Sequence, residues 1–519
     1  MQMQKLIEAE IDRLANKKLK RQRNLVNKRK KAQRNFAKRT GLSAKPPTRP
    51  ATAPVHRQFD PKYCKRHAKH LAKVIWYKVR QKTYEPMPAI HSRKSKPTGG
   101  YRDIMAFSIP DSALANVMMK RARGRNKKRL SPQSFAYHPD KNIFDAVLNL
   151  CEFDFSSKVF AVQIDFKNFF DSIPTSYLKA KMNDASLISL TPHERYVFEA
   201  FLRHRFFQRQ NYLIGSGSRR KRGTPQGSSV SLLLANIANH DLDIDLSHQA
   251  GRFARFADDV VALCHRYEAA QSIEQCFHTH AERSGLKLNK EKSTGIAMMT
   301  DRHAEMRAIQ YFDFLGYRFS DGKLKMPNST IKRVKSRISN IVNLQLIHYL
   351  KYHFNSGRCS SSSPVYDWDL LGAITEIRRY LYGGLTESDL TKFIDKQERL
   401  RKVKGLMGFY CLLDDRETLA ELDGWLVNMI RRAMVKRNLI LKAKFGSTCP
   451  TPNNRQLIEG VWLNPKAWRK TKCPDARVPS FIRGWRTARK HYLIFGLEDV
   501  EPWAYQYGVT AEPNLGAFY

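Results

Sequence analysis

Residues 253–263 read FARFADDVVAL, two short apolar runs on either side of the adjacent acids Asp258 and Asp259. Such a pattern predicts a β-hairpin that carries the two acids at its turn. Two carboxylates held together among apolar residues repel each other and lose solvation unless a cation joins them. The stretch therefore predicts a cation site at a hairpin tip, although an Asp-Asp pair is an ordinary solvated turn in most proteins.

A second apolar run, VFAVQID at residues 159–165, ends in Asp165. This near-continuous run predicts a buried strand, and a strand beside the hairpin would bring Asp165 to the two acids. Mg²⁺ prefers such oxygen ligands, and two ions roughly 4 Å apart could activate a 3′-hydroxyl and stabilise a departing pyrophosphate. The alternative is that Asp165 only caps a helix.

Between these segments, residues 223–231 read GTPQGSSVS. Gly and Pro favour a tight turn, and the serines can cap the helix that we expect to follow. Gln226 would then stand on a rigid turn, suited to contact a nucleotide or a template base. The alternative is a simple loop.

Taken together, the three segments resemble the palm motifs of reverse transcriptases, in particular the bacterial enzymes related to group II intron proteins, retrons and defence-associated reverse transcriptases. The D-x-x-x-x-F motif matches Asp165 and Phe170, and the [YF]-A-D-D motif matches residues 256–259. Weaker resemblances flank them, namely residues 99–102, 109–110, 134–137, 285–292 and 312–317. The similarity covers roughly residues 90–325 and, more loosely, the stretch 330–440.

The resemblance implies an α+β right-hand polymerase whose metal site, with two Mg²⁺, consists of Asp165, Phe166, Asp258 and Asp259. It implies nucleotide-binding roles for Arg102, which would steady the triphosphate, for Phe170, which would exclude a ribose 2′-hydroxyl, and for Gln226 and Lys292. It implies a primer grip at Leu315, Gly316 and Tyr317. The alternatives are a core aromatic for Phe170, a surface lysine for Lys292 and a plain strand turn for residues 315–317.

The chain also departs from the family pattern. Phe256 replaces the commoner Tyr, and Leu232 follows Ser231 where many relatives carry Pro. We find neither a cysteine-paired or His-Asn-His nuclease module nor the retron signatures Asn-Ala-x-x-His and Val-Thr-Gly. The absence of these modules and signatures favours the unclassified defence-associated enzymes as relatives.

We therefore expect an RNA-directed DNA polymerase that copies a dedicated noncoding RNA during anti-phage defence. A group II intron maturase-like RNA-binding protein with reverse transcriptase activity is the alternative. An RNA-templated RNA polymerase is a third possibility, against which the bulky Phe170 argues.

Charge and cysteine content set the expected partners and compartment. Lys+Arg total 92 against 47 Asp+Glu, a formal net charge of +45, so we expect an RNA template, a DNA product and dNTPs as partners, with a homo-oligomer possible. No secretory signal opens the chain, and no apolar run reaches the roughly 18 residues of a membrane span. The eight scattered cysteines predict free thiols and a cytoplasmic location.

Composition along the chain predicts five segments. These are a basic N-terminal arm at 1–55, fingers at 56–155, the palm at 156–325, a helical thumb at 326–445 and a Trp- and Arg-rich extension at 446–519. A Pro-rich joint at 45–54 would end the arm. In the thumb, Ile331, Val334, Ile338 and Ile341 form a plausible core stripe. The tryptophans of the extension either bind RNA or pack the extension onto its neighbours.

Overall fold

The computed structural model of the chain describes residues 2–43, 54–95, 100–289, 291, 293–300, 306–363, 365–463 and 474–502. Most of the predicted Pro-rich joint, Lys292, Trp468 and Trp503 lie outside these ranges. The chain forms two compact units, residues 1–25 with 50–315 and residues 26–49 with 316–519. Each unit contains more than one predicted segment, so the five-segment division stays a prediction.

The first unit mixes helices and strands, as predicted for an α+β fold. Its helices are α1 (Gln2–Thr40, up to Leu25 in this unit), α2 (Pro61–Arg66), α3 (Ala68–Arg80), α4 (Ile109–Arg125), α5 (Ile143–Cys151), α6 (Phe169–Ser172), α7 (Thr175–Asn183), α8 (Pro192–Leu202), α9 (Val230–Ala238), α10 (His240–Gln249) and α11 (Tyr267–Ser284). Its strands are β1 (Ala89–Ser95), β2 (Tyr101–Ala106), β3 (Val159–Gln163), β4 (Arg205–Gln208), β5 (Ser218–Arg219), β6 (Arg252–Phe256), β7 (Asp259–Cys264), β8 (Gly295–Met299), β9 (Ala308–Ile309) and β10 (Phe312–Phe314).

Two sheets organise this unit. A five-stranded sheet has the order β6-β7-β3-β8-β9, and β3 pairs antiparallel with both β7 and β8. A four-stranded sheet has the order β2-β1-β4-β5. Strand β3 is central, and Val159, Phe160, Ala161 and Val162 are all buried, which explains the continuous apolar run in the sequence. One apolar core links the larger sheet to the surrounding helices.

The first helix reaches further than the apolar pattern of the N-terminal arm indicates. Ile7 and Ile11 are fully buried in the core of the first unit, as their spacing predicts. Glu10 is also buried and accepts hydrogen bonds from Arg13 and Asn116. Beyond residue 15 the helix continues through mostly exposed basic residues to Thr40, because Lys, Arg and Gln are good helix formers. The first part of the predicted arm is therefore a packed structural element.

The second unit is mainly helical. Its helices are α12 (Asn328–Leu346), α13 (Trp368–Tyr382), α14 (Glu387–Lys396), α15 (Gly405–Phe409), α16 (Arg416–Phe445), α17 (Asn454–Glu459) and α18 (Phe481–Phe495), and its strands are β11 (Tyr317–Ser320), β12 (Lys323–Lys325), β13 (Cys359–Ser360) and β14 (Tyr366–Asp367). Strand β11 pairs with β12 and β13 pairs with β14, both antiparallel.

The buried face of α12 differs from the predicted stripe. Val334 and Ile338 are buried as predicted, but Ile331 and Ile341 are only partly buried. The stripe instead continues at intervals of four residues through Val342 and Leu346. The prediction was wrong at its two ends because an i, i+4 row and an i, i+3 row lie on slightly different faces of a helix.

The cysteines require a second correction. Cys359 and Cys449, which are 90 residues apart in the chain, form a disulfide with their Cα atoms 5.7 Å apart. The prediction of free thiols is wrong for this pair, whereas Cys64, Cys264, Cys276 and Cys411 are free. Disulfides persist in oxidising compartments, so the cysteine pattern no longer supports a reducing one. Within the described ranges, no helix is both long enough and apolar enough to span a bilayer.

Candidate active site

The predicted hairpin exists and carries the two acids at its tip. Strands β6 and β7 pair antiparallel in a register that sets Phe256 opposite Asp259, which leaves Ala257 and Asp258 as the two-residue turn. Ala257 has a φ of 66°, in the left-handed region. Glycine usually occupies the first central position of such hairpin turns, so this alanine needs support from its surroundings.

The third acid follows the neighbouring strand. Asp165 lies just after β3, and its main chain is tied to the segment at residues 287–293. Asn289 donates its backbone N–H to Asp165 O at 2.8 Å and its side-chain amide to Asp165 Oδ2 at 3.3 Å. The Asp165 backbone N–H donates to Ser293 Oγ at 3.1 Å. The carboxylate is therefore fixed from the side of the downstream motif that the sequence analysis singled out.

A cleft of about 910 Å³ joins these elements within the first unit. Eight of the eleven predicted site residues line it, namely Arg102, Asp165, Phe166, Phe170, Gln226, Asp258, Asp259 and Leu315. The structure therefore gathers in one cleft groups that are spread over more than 200 positions of the chain.

Burial, together with mutual repulsion among the acids, governs the electrostatics of the cleft. Burial and the nearby Asp165 raise the pKa of Asp258, against the opposing charge of Arg102. Burial, Asp258 and Asp165 together raise the pKa of Asp259 to about 7. The Asp259 side chain is exposed to the solvent of the cleft, although protein atoms surround the cleft on most sides. Both shifts mean that the folded chain holds negative charge here at a cost.

These acids fit a divalent cation by their chemistry. Carboxylate oxygens are the preferred ligands of hard cations, and a cation would relieve the repulsion that raises both pKa values. Among the residues described, no group of three or more His, Cys, Asp or Glu side chains is placed so that it could hold a metal ion as it stands. The acids thus interact electrostatically, but their side chains do not form a complete metal-binding site as they stand.

The turn at residues 223–227 holds Gln226 in the cleft wall. Gly223 has a φ of 75°, and a Cβ there would lie 2.6 Å from the Asp171 backbone. Gly227 has a φ of 123°, and a Cβ at this position would collide with Met105 O. The Gln226 carbonyl accepts from the Met105 N–H at 2.8 Å, and its side-chain amide donates to Asp171 Oδ2 at 2.8 Å. The predicted rigid turn is therefore present.

Phe170 and Arg102 both lie at the cleft, where a substrate can reach them. Phe170 is partly buried, and its ring packs edge-on against Phe169 at 5.4 Å. Phe169 is buried in the core. Of the two neighbouring rings, Phe169 therefore packs in the core and Phe170 lies at the cleft. Arg102 is exposed, and its positive charge acts on Asp258.

The three residues of the predicted primer grip lie in two different environments. Leu315, with a φ of 50°, lines the cleft. Tyr317 belongs to the second unit and is fully buried there, where its hydroxyl donates to Phe409 O and its ring lies 5.3 Å from that of Tyr410. The Tyr410 hydroxyl donates to Gly316 O at 3.0 Å. Gly316 and Tyr317 do not line the cleft, so only Leu315 is placed to contact a ligand in it.

Three further residues at the cleft were given no role by the sequence analysis. Tyr137 lines the cleft with a φ of 59°, a conformation that non-glycine residues adopt rarely and mostly under constraint. Asn289 holds Asp165, and Asp171 holds Gln226 while it pairs with Arg220 at 2.7 Å. Tyr137 and Asn289 fall inside motifs that the sequence showed, but nothing local assigns them a partner.

The described tryptophans of the C-terminal extension serve packing. Trp462 is buried and donates its indole N–H to Ala476 O at 3.0 Å. Trp485 donates to Leu413 O at 3.1 Å, and the Arg489 guanidinium lies over its ring. Of the two readings left open for the extension, packing holds for these two residues.

Comparison with known proteins gives a family for the central part of the chain. Residues 93–319 match the family model described as reverse transcriptase (RNA-dependent DNA polymerase), and this range contains every residue that lines the cleft. No curated protein matches the chain significantly.

Solved telomerase structures are weakly similar to the chain. Telomerase from Candida albicans, in complex with a fragment of telomeric RNA, is 14% identical with a TM-score of 0.36, and the match covers 71% of this chain and 66% of that one. Truncated apo telomerase from Candida tropicalis is 13% identical with a TM-score of 0.35, and the match covers 46% and 55% of the two chains. The matches thus span about half to two thirds of these structures, and at such TM-scores the similarity adds nothing to the assignment.

The family match, the α+β sheets and the cleft agree with the right-hand polymerase fold that the motifs predict. Residues 93–319 therefore belong to a reverse transcriptase domain, the domain type of RNA-directed DNA polymerases, which are nucleotidyltransferases.

Proposed function

We propose that the chain copies an RNA template into DNA from dNTPs by two-metal nucleotidyl transfer at this cleft. The observation that carries the proposal is that Asp165, Asp258 and Asp259 line one cleft, where burial and their mutual repulsion raise the pKa of the last two acids. Charge held at such a cost is typical of a site that a cation completes.

In this proposal the three acids hold two Mg²⁺ ions, with Phe166 beside them. When bound, the ions would supply charge stabilisation to the reacting phosphate and to the attacking and leaving oxygens. Arg102 would bind the triphosphate, and Phe170 would exclude the 2′-hydroxyl of a ribonucleotide. Gln226, fixed by Asp171, would contact the base pair that forms.

We further propose that the template is a dedicated noncoding RNA and that synthesis serves anti-phage defence in a bacterium. The net charge of +45 supports a nucleic-acid partner, and the resemblance of the palm motifs to those of bacterial enzymes supports this lineage. The test is to immunoprecipitate the chain from infected cells and to sequence its RNA and DNA. A heterogeneous RNA pool without a cDNA that depends on Asp258 and Asp259 would favour the maturase-like alternative.

The polymerase activity itself is tested with the purified chain and a primed RNA template. We expect dNTP incorporation that requires a divalent cation and is lost in Asp165→Asn. The matched control is Asp154→Asn, since Asp154 is exposed and does not line the cleft, and its hydrogen bonds come from the nearby Ser156. Incorporation that persists in Asp165→Asn, or that needs no divalent cation, would contradict the proposal.

A further inference from the structure

Arg255 lies on β6, behind the hairpin tip, and is fully buried. A buried guanidinium is costly unless its donors are satisfied. Its Nε and one terminal nitrogen donate to the two carboxylate oxygens of Asp243 on α10, each at 2.6 Å. Asp243 is also buried, so the pair forms a two-pronged ion pair inside the core of the first unit.

The remaining donors of Arg255 connect the catalytic hairpin to its neighbours. One terminal nitrogen donates to Ala257 O at 3.0 Å and to Asn236 Oδ1 at 3.2 Å. The other also donates to Ser134 Oγ at 2.9 Å. One side chain thus contacts the hairpin turn, helix α9 and the segment before Tyr137.

The same residues reach both walls of the cleft. Asn236 donates its amide to Ala136 O at 2.8 Å, directly before Tyr137. The Arg255 main chain pairs with this segment as well, because Phe135 N–H donates to Arg255 O at 2.9 Å. On the other side, Ala257 O belongs to the turn that carries Asp258. Its left-handed conformation is unfavourable for alanine and needs an external hydrogen bond.

We propose that Arg255 is a positioning residue, which fixes the hairpin turn so that Asp258 and Asp259 are held in the cleft beside Asp165 and Tyr137, where a cation could bind them. The inference rests on the proposed metal-dependent function. The role proposed for the guanidinium goes beyond stabilising the fold through its ion pair with Asp243. It also donates hydrogen bonds to Ala257 and Ser134, which lie at the hairpin turn and in the segment before Tyr137. Lysine cannot replace this fork geometry, because its ammonium is a single point charge.

The test removes both members of the Arg255–Asp243 ion pair, called the clasp from here on, so that neither charge is left buried without its partner. The double variant Arg255→Leu/Asp243→Leu replaces both partners by apolar groups of similar size, which buried pairs often tolerate. We expect kcat to fall and the half-saturating Mg²⁺ concentration to rise, each by about tenfold, because residues that orient metal ligands typically contribute this much. The KM for the template–primer should stay within about twofold, since the clasp touches no nucleic-acid contact.

A matched control is the buried pair Arg437 and Asp367 of the second unit, changed to Arg437→Leu/Asp367→Leu. This control should leave the Mg²⁺ dependence unchanged. Equal Mg²⁺ dependence in the Arg255 double variant and the unmodified chain, or the same shift in the control, would overturn the proposal.

Two further measurements keep the result decisive. Arg255→Lys retains the positive charge beside Asp243 but loses the fork, and it should shift the Mg²⁺ dependence in the same direction even if the double variant does not fold. Direct Mn²⁺ binding, followed by electron paramagnetic resonance, reports on the acids without any synthesis. If the unmodified chain binds Mn²⁺ but polymerises nothing, the polymerase proposal fails, while weaker Mn²⁺ binding by Arg255→Lys still supports the clasp and unchanged binding refutes it.

Discussion

The two sides of the β6–β7 hairpin differ in how their carboxylates are neutralised. On the inner side, Asp243 is buried and receives two hydrogen bonds from Arg255. On the cleft side, Asp258 and Asp259 face Asp165, and the nearby Arg102 is exposed and does not offset the burial and repulsion that raise their pKa values.

The difference shows which charges the fold completes by itself. Asp243 has its counter-ion built into the chain, so it behaves as a structural group that needs nothing from solution. Among the residues that the structure describes, Arg102 and Arg255 oppose the rise in the pKa of Asp258 without cancelling it, and the folded state holds the cleft acids at a cost that an external cation would reduce. Substitutions made separately on each side of the hairpin test this contrast.

The largest effect is expected from the cleft side. Asp258→Asn/Asp259→Asn keeps the shape of both side chains but removes their charge, so RNA-templated incorporation should fall by about a thousandfold or more. Circular dichroism should show an unchanged fold. Appreciable Mg²⁺-dependent synthesis by this variant would show that the two acids are not the metal ligands.

The next effect is on stability and concerns the inner side. Arg255→Gln alone leaves Asp243 buried and unpaired, which should cost about 3–5 kcal/mol in urea-induced unfolding. Arg252→Gln is the matched control on the same strand, since its ion pair with the exposed Glu152 is only partly buried and should be worth at most about 1 kcal/mol. Equal losses in the two variants would mean that burial does not distinguish these pairs.

The neighbouring rings Phe169 and Phe170 extend the comparison to the cleft wall. Phe170→Val should lower the preference for dNTPs over rNTPs by about tenfold, because it removes a steric barrier and leaves the acids in place. Phe169→Val changes the buried ring, so it should reduce stability and leave sugar preference as it is. The ratio of kcat/KM for dNTPs and rNTPs decides between them, and an unchanged ratio in Phe170→Val would return that ring to a packing role.

A smaller effect is expected from pH. The raised pKa of Asp259 means that the folded chain binds its proton more tightly than the unfolded chain does. In the absence of divalent cations, its contribution to stability should therefore fall as the pH rises from about 4 to about 7, and then level off. Thermal unfolding in a chelator should show this decline in the unmodified chain and a weaker one in Asp259→Asn. Added Mg²⁺ should restore stability at pH 8, and identical pH profiles would refute the coupling.

The smallest effect concerns exposed positive charge on α1. Arg21, Arg23, Lys28 and Lys30 are exposed, and changing them to Gln should flatten the salt dependence of RNA binding by about 0.7–0.9 log units per lost contact. Point changes are preferable to deletion, because Ile7 and Ile11 of the same helix belong to the core. Gln22→Ala/Asn24→Ala on the same exposed surface is the control. An unaltered slope in the charge variant would exclude this surface from RNA binding.

The main features of the candidate site were predictable from local sequence patterns. The apolar runs around Asp165 and around Asp258 and Asp259 predicted a strand and a hairpin, and the structure has both. The Gly- and Pro-containing stretch predicted the turn that carries Gln226. These predictions succeeded because periodicity, turn chemistry and adjacent acids are local properties of the chain.

Contacts between groups that are distant in sequence became known only from the complete fold. It placed Arg255 on Asp243 and Ser134, Gln226 on Asp171, and Tyr317 in a buried contact with Phe409. It also paired Cys359 with Cys449 and set the phase of the buried face of α12. None of these contacts could be read from the chain, because a buried partner is selected by packing between elements that lie far apart in sequence, and the free energy of each contact depends on burial that only the complete fold creates.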